Sequence, residues 1–434
     1  MASKRSSSKD SLITITLATI LLIAGFWFAY QFVEPAPSDT ITISTGSKEG
    51  AYYAFAQKYK KSLAKQDIKL EIMSSAGSSE NIDNLINQNV DTAFVQGGTY
   101  KGGNDLESLG SLYYEPVWLF YRQGISISKL TDLEGLKVAI GPKGSGTKQL
   151  AQLLLNDNEL NTGTVQLSEL SGSTAADSLL NGTLDAAFFI GSVKSTVIQR
   201  LINTPNMQLL SVQRAEAYRR IHPFLSKITL PEGIINFQKN IPAQDISLIA
   251  PTANLLINKD LHPALVFALL KAIKENHSQS GTFAFENHFP NGNNTTAPIS
   301  KIADRYYKKG PPFLMRYLPF WTAVMIDRFV VMLIPLIALL IPLFKLLPPL
   351  YEWRISSRIY RWYEALHAVD EKSQQSDFDN EQHAFLIQEL ERILAEVSKV
   401  KAPLSHARQL YHLMAHIELV RGKIDRKANE AQKR

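Results

Sequence analysis

The chain of 434 residues contains no cysteine. That absence excludes disulfides, thiolate metal sites, a cysteine nucleophile and a lipidated N-terminal cysteine, but it leaves the compartment open, because bacterial export needs no cysteine. A large excess of one charge is missing too. Forty-six Lys and Arg stand against 40 Asp and Glu, a net charge of +6, and no long basic stripe interleaves with aromatics, so nucleic-acid binding is not indicated. Also absent is any spacing that would set a nucleophile beside a base and an orienting group, or any metal-ligand cluster. His412 and His416 lie four apart on an expected helix, but there is no glutamate next to the first and no third ligand for zinc. No catalytic residue, metal or cofactor is therefore expected, and an enzyme is the least favoured class.

What the chain does have is a distinctive opening. Ile41-Thr42-Ile43-Ser44 alternates as a strand, Thr45 to Gly50 forms a glycine loop, and Ala54 to Leu63 suits a helix. A strand that feeds a helix through such a loop leaves backbone N–H groups unpaired at the helix start, which suits an anionic group.

Two apolar runs flank a large polar region. Residues 12–32 carry no charge until Glu34 and have about the ~20 residues a spanning helix needs. Lys4, Arg5 and Lys9 precede this run and Phe26-Trp27-Phe28-Ala29-Tyr30 ends it, so its length and aromatic belt favour an uncleaved anchor over a signal peptide cut near Ala36. The second run, 321–347, has a charge-free core from Phe329 to Phe344, with Pro335 and Pro342 expected to bend it. Lys345, Arg354, Arg358 and Arg361 follow. The positive-inside bias then places residues 1–11 and 351–434 in the cytoplasm and the region between the runs outside, at the bacterial inner membrane facing the periplasm.

Within the outside region, strand, loop and helix repeat. Ile68–Met73, Ser74–Ser79 and Glu80–Asn87 form a second unit, and Asp91–Gln96 is a short buried strand leaving through Gly97-Gly98. Tyr113–Tyr121 is an aromatic connector, after which the pattern restarts at Lys137–Ile140 with the loop Gly141-Pro142-Lys143-Gly144-Ser145-Gly146-Thr147. Asp245–Ile257 reads as a returning strand and Pro263–Glu275 as a helix that closes the first lobe. Such alternation implies parallel α/β packing with the loops at the carboxyl ends of the strands gathered around one crevice. The second glycine loop is not a nucleotide-binding P-loop. Gly146 is followed by Thr147-Lys148, the reverse of the required order, so it too reads as a helix-start anion nest.

Six motifs in order carry a family resemblance: Thr45-Gly46-Ser47-Lys48-Glu49-Gly50-Ala51-Tyr52-Tyr53, Ser78-Ser79-Glu80-Asn81, Ala93-Phe94-Val95-Gln96, Leu112-Tyr113-Tyr114-Glu115-Pro116, Val138 to Thr147, and Asp185-Ala186-Ala187-Phe188-Phe189. Over about residues 40–290 the chain resembles the TAXI family of solute-binding receptors for TRAP transporters. The resemblance implies a two-lobed periplasmic-binding-protein type II fold over 39–300, with lobe 1 at about 40–120 and 245–300 and lobe 2 at about 125–240. It also implies a small carboxylate ligand, an amino acid or dicarboxylate, and TRAP permease subunits as partners. The ligand contacts it implies are Gly46, Ser47, Gly50 and Tyr52 in the first loop, Ser78, Ser79 and Asn81 in the second, Gln96 in the third, and Ser145 and Thr147 in the far lobe. Ser47 and Ala51 depart from the glycine and threonine often found there. Lys48, Arg122, Lys143 and Lys148 are further candidate partners for a carboxylate, and Glu80 would suit an amino group.

Beyond Tyr351 two apolar stripes, Leu386, Leu390, Ile393 and Val397, then Leu410, Leu413, Ile417, Val420 and Ile424, predict a helical hairpin. Two spans and a cytoplasmic tail depart from the freely soluble or lightly tethered receptor usual in the family. A sensor that passes lobe closure through the second span to the tail therefore stands beside a transport receptor.

Overall fold

The structure is a computed structural model that describes residues 16, 19–20, 23–31, 35–103, 106–374, 380–400 and 406–431. Two compact units divide the chain, Pro35–Met325 and a second unit of Met1–Glu34 with Ile326–Arg434.

The first unit is mixed α/β with two five-stranded sheets. Its first lobe opens with strand β1 (Thr40–Ser44), helix α1 (Ala51–Ala64), β2 (Lys69–Met73), α2 (Ser78–Ile86), β3 (Thr92–Gln96) and β4 (Leu106–Tyr114). The second lobe holds β5 (Val117–Arg122), β6 (Lys137–Ala139), α3 (Gly146–Asn156), β7 (Gln166–Ser168), α4 (Gly172–Leu180), β8 (Ala186–Ile190), α5 (Thr196–Ile202), β9 (Met207–Leu209), α6 (Ala215–Ile221), β10 (Ser226–Leu230) and β11 (Ile246–Ala250). The chain then returns as β12 (Thr252–Asn258) and α7 (Pro263–His277), followed by α8 (Lys301–Lys309) and α9 (Phe313–Tyr317).

The sheet orders are β2-β1-β3-β12-β4 and β7-β6-β8-β5-β9, with β10 and β11 as a separate pair. Strands from the repeating units pair in parallel, as the alternation predicts. The crossing strands do not. β12 runs antiparallel to β3, and β5 antiparallel to β8, because a strand arriving from the other lobe enters its new sheet from the opposite end.

Burial explains why these segments are strands. All five residues of β3 are buried, as expected for a central strand covered on both faces. On one face of the first sheet, Ile41, Ile43, Phe94 and Leu255 pack with Tyr59 and Leu63 of α1 and Leu269 and Ile273 of α7. Ile82, Leu85, Val95 and Leu256 fill the other face. The second sheet has cores on both faces as well, one around Leu119, Leu154 and Phe188, the other around Trp118, Leu179 and Leu248. The first unit also reaches beyond residue 300. Ala303 and Tyr306 of α8, with Phe320 and Val324 further on, join the first lobe's core.

Helix α10 (Phe320–Ser373) is continuous over 54 residues. It contains a stretch apolar enough to cross a membrane, Phe320–Pro342, with mean hydropathy 2.5, and Phe329, Ile334, Ile341 and Phe344 are exposed along it. The helix does not break at Pro335 or Pro342. Of the expected anchor 12–32, only residues 16, 19–20 and 23–31 are described, helical from 23 to 30, and the expected cytoplasmic stretch 1–11 lies outside the described residues.

In the second unit, α11 (Asn380–Ser398) and α12 (Ala407–Ala431) follow α10. The two expected stripes meet in one core, but Ile359, Leu366 and Val369 of α10 join them, so three helices share it rather than the two of a hairpin. The ion pair Asp370–Lys423 at 3.3 Å and the hydrogen bond between His383 and Asp425 at 3.0 Å rim that core.

Candidate ligand site

Three of the predicted loops converge between the lobes. The Ser79 N–H donates to the Gly144 carbonyl at 3.2 Å, the Gln149 side-chain amide donates to Ser79 Oγ at 2.6 Å, and the Gln96 amide donates to the Gly146 carbonyl at 3.2 Å. The 46–53 loop joins from the first lobe, since the Gly46 carbonyl accepts from the Ser75 N–H at 3.4 Å. The approach is close at Gly146, where a Cβ would stand 2.7 Å from Gln96 Oε1 and displace the end of that side chain.

The loops that meet here feed helix starts in both lobes. The N–H groups of Ala51, Tyr52 and Tyr53 at the start of α1, and of Gly146 and Thr147 at the start of α3, have no acceptor among the described residues. Each such start favours negative charge by roughly 0.3 to 1 kcal/mol.

A polar thread runs from this junction to the crossover between lobes. The Gln96 N–H donates to Ser78 Oγ at 2.9 Å, and Ser78 lies against Tyr52, whose hydroxyl donates to Glu115 Oε2 at 2.9 Å. Glu115 sits between β4 and β5, where its N–H donates to the carbonyl of Pro251 in the returning crossover at 2.9 Å. The Glu115 side chain is 5% exposed, and burial pushes its carboxyl up to about 8. The Tyr52 phenol is raised as well, first by burial and then by the Glu115 charge, with Ser78 opposing. Beneath α1, the Tyr52 ring stacks on Phe94 at 5.1 Å and Tyr113 on His277 at 5.5 Å. His277 accepts or donates at 2.8 Å to the Tyr59 hydroxyl, and burial pushes it down to about 3, so it is neutral.

The predicted residues fall into different roles. Tyr52, Ser78 and Gln96 form the thread, and Ser79 bridges to the far lobe. Gly46 is buried against Tyr52, and Gly50 caps α1 with its N–H on the Ser47 carbonyl at 2.8 Å, while Ser47 itself is exposed. Ser145 caps α3, its Oγ accepting from the Lys148 N–H at 3.2 Å and donating to the Pro142 carbonyl at 2.7 Å. Thr147 is half-buried in the first turn of that helix. Asn81 is buried and fully committed. Its amide donates to the carbonyls of Thr45 and Phe94, and its Oδ1 accepts from Ser44 and Ser75, both at 2.6 Å. It therefore clamps the ends of β1 and β3.

The charged candidates are mostly engaged elsewhere. Arg122 pairs with Asp185 and Lys148 with Glu169, each at 2.5 Å, while Lys48 and Lys143 are exposed. Glu80 is exposed and accepts from the Ala76 N–H at 2.7 Å, which ties it to the start of its own helix. Sequence reasoning missed Glu115, Tyr113 and Gln149 as site residues. Glu115 did carry a signal, since it is the one acid in the aromatic run Tyr113–Tyr121.

Beside Gln96 the lobes leave a groove of about 260 Å³, walled by Gly97, Gly98, Gln149, Leu153 and Phe224. Gly98 has φ +84° and a Cβ there would collide with the Phe224 ring, so glycine allows both the turn and the contact between lobes.

Residues 43–308 match the model of the NMT1-like family, and with well over half of the 434 residues covered the chain belongs to that family. Solved structures with a weak likeness include the periplasmic aliphatic sulphonate binding protein of Escherichia coli (15% identity, 55% of this chain and 68% of that one, TM-score 0.38). Another is a Salmonella typhimurium periplasmic binding protein with high arginine specificity (16%, 56% and 95%, TM-score 0.37). A third is the effector-binding domain of BenM with benzoate (11%, 57% and 99%, TM-score 0.38). Likeness at this level decides nothing about the ligand.

Proposed function

We propose that this NMT1-like protein is a membrane-anchored extracytoplasmic solute-binding receptor of a TRAP-type transporter, of the TAXI kind, and not an enzyme. The solute is a small carboxylate held between the lobes, beside permease subunits at a bacterial inner membrane. One observation carries the ligand class: helix-start N–H groups in two separate lobes, at α1 and α3, have no acceptor among the described residues, and the loops that feed both helices meet at one junction. Two such starts favour an anion together, and lobe closure removes the water that would compete. The six motifs in register support the family subdivision, and the exposed apolar surface of Phe320–Pro342 supports the second span. Under this reading 12–32 is the anchor, 39–300 the core of the receptor, 321–347 the second span and 351–434 a cytoplasmic tail.

The test is a thermal-shift screen of the full chain in detergent against amino acids, dicarboxylates and neutral sugars. Stabilisation by carboxylate-bearing solutes is expected. If only neutral sugars raise the midpoint, the anion reading is wrong.

A second reading is a ligand sensor, and one observation favours it. The tail has a core of its own, in which Ile359, Leu366 and Val369 pack with α11 and α12. Deleting residues 370–434 should then abolish a cellular response and leave binding intact, whereas a transport receptor would keep its uptake.

A further inference from the structure

Glu115 is an unusual residue for a buried position. It is 95% removed from solvent, being 5% exposed, yet it receives only one hydrogen bond, from Tyr52 to Oε2. Its other oxygen, Oε1, accepts no hydrogen bond among the described residues and keeps a little contact with solvent, and no described Lys, Arg or His forms an ion pair with it. Two residues earlier along the extended chain, the Tyr113 hydroxyl is buried with no partner either. Buried carboxylates are ordinarily paired or hydrogen-bonded on both oxygens, because an uncompensated one costs several kcal/mol. The crossover of the lobes thus holds a nearly buried carboxyl without a cationic partner and, two residues away, a buried hydroxyl without a hydrogen bond.

The neighbours decide the chemistry of any donor to these groups. The other titratable groups facing Glu115 are the phenols of Tyr52 and Tyr113, with Tyr59 and the neutral His277 behind them. None supplies positive charge. A second carboxylate would meet repulsion there, whereas an ammonium would pair with Oε1. The free helix-start N–H groups lie at the other end of the same thread, through Tyr52 and Ser78 to Gln96 and Gly146.

We propose that Glu115 is the counter-ion for an ammonium group on the solute, with the Tyr113 hydroxyl as a second partner. The ligand is then a zwitterion, an amino acid or another amine-bearing carboxylate, rather than a plain dicarboxylate. This rests on the solute-binding reading above and narrows it. The carboxylate end sits at the helix starts and the ammonium end at the crossover.

Calorimetry on the full chain in detergent tests it, with matched probes: L-amino acids and, for each, the acid lacking only the amino group, such as L-glutamate against glutarate. Wild type should bind its best amino acid at least tenfold tighter than the deaminated partner. Glu115→Gln, nearly isosteric, should lose at least tenfold for the amino acid and nothing for the deaminated acid. Tyr113→Phe should lose less, in the same direction. Equal binding of both probe classes, or discrimination that survives Glu115→Gln, overturns the assignment while leaving the solute-binding reading in place. Failure of every carboxylate probe to bind wild type overturns both.

Discussion

Replacing Glu115 with Gln tests the electrostatics of the crossover without any ligand. Burial raises the folded-state carboxyl from 4.5 to about 8, while in the unfolded chain it titrates near its ordinary value. The folded protein therefore holds a proton that the unfolded chain releases between these two values, so stability must fall as pH rises through the window. The loss starts near pH 4.5 and levels off above about 8. At 1.36 kcal/mol per unit the full shift corresponds to about 5 kcal/mol as an upper bound, of which about 4 falls between pH 5 and 9. Glutamine mimics the neutral acid and has no such penalty. Guanidinium unfolding of wild type and Glu115→Gln, in one detergent at pH 5, 6, 7, 8 and 9, should show nearly equal midpoints at pH 5 and a widening advantage for the variant above it. A difference that stays constant across the range would show that Glu115 is not buried as a strained acid, and the crossover argument would fail.

Other perturbations probe the remaining parts. Gly146→Ala, which sets a methyl against Gln96, should hold the lobes apart and weaken solute binding at least tenfold, read by calorimetry and by small-angle scattering. Asn81→Ala removes four hydrogen bonds at a buried position and should cost about 2 to 4 kcal/mol in chemical denaturation. Leu390→Ala, in the three-helix core of the tail, should cost that unit about 2 to 5 kcal/mol and leave solute affinity unchanged. At pH 7 an ammonium ligand that ionises Glu115 should release close to one proton per solute bound, since a group titrating near 8 is about nine-tenths protonated there. Calorimetry in buffers of differing ionisation enthalpy measures that release.

The alternation of strands and helices was legible because the strands at the sheet centres, such as Thr92–Gln96, have short apolar middles, here Ala93-Phe94-Val95, and because glycine loops mark where they end. The direction of the crossing strands was not, since no local pattern records which edge a returning chain enters. The receptor domain was expected to end near residue 300 because Ala303, Tyr306 and Phe320 are too scattered to form a periodic face, although they complete the first core. In the site, hydroxyls and amides at helix starts could be found from their loops, but what each bonds to could not. Asn81 and Gln96 look equally polar in the sequence, yet one clamps two strand ends and the other reaches the opposite lobe. Glu115 was visible as a lone acid among aromatics, and only its burial and missing partner gave it a role.

The central claim is that a small carboxylate is held at the junction of the Ser78, Gln96 and Gly146 loops. Calorimetric affinity of the full chain for the best solute from the screen, compared between wild type and the Ser78→Ala/Gln96→Ala double variant, tests it most directly. A loss of tenfold or more is predicted, with circular dichroism unchanged. Affinity equal to wild type in a folded double variant would place the solute elsewhere and contradict the account.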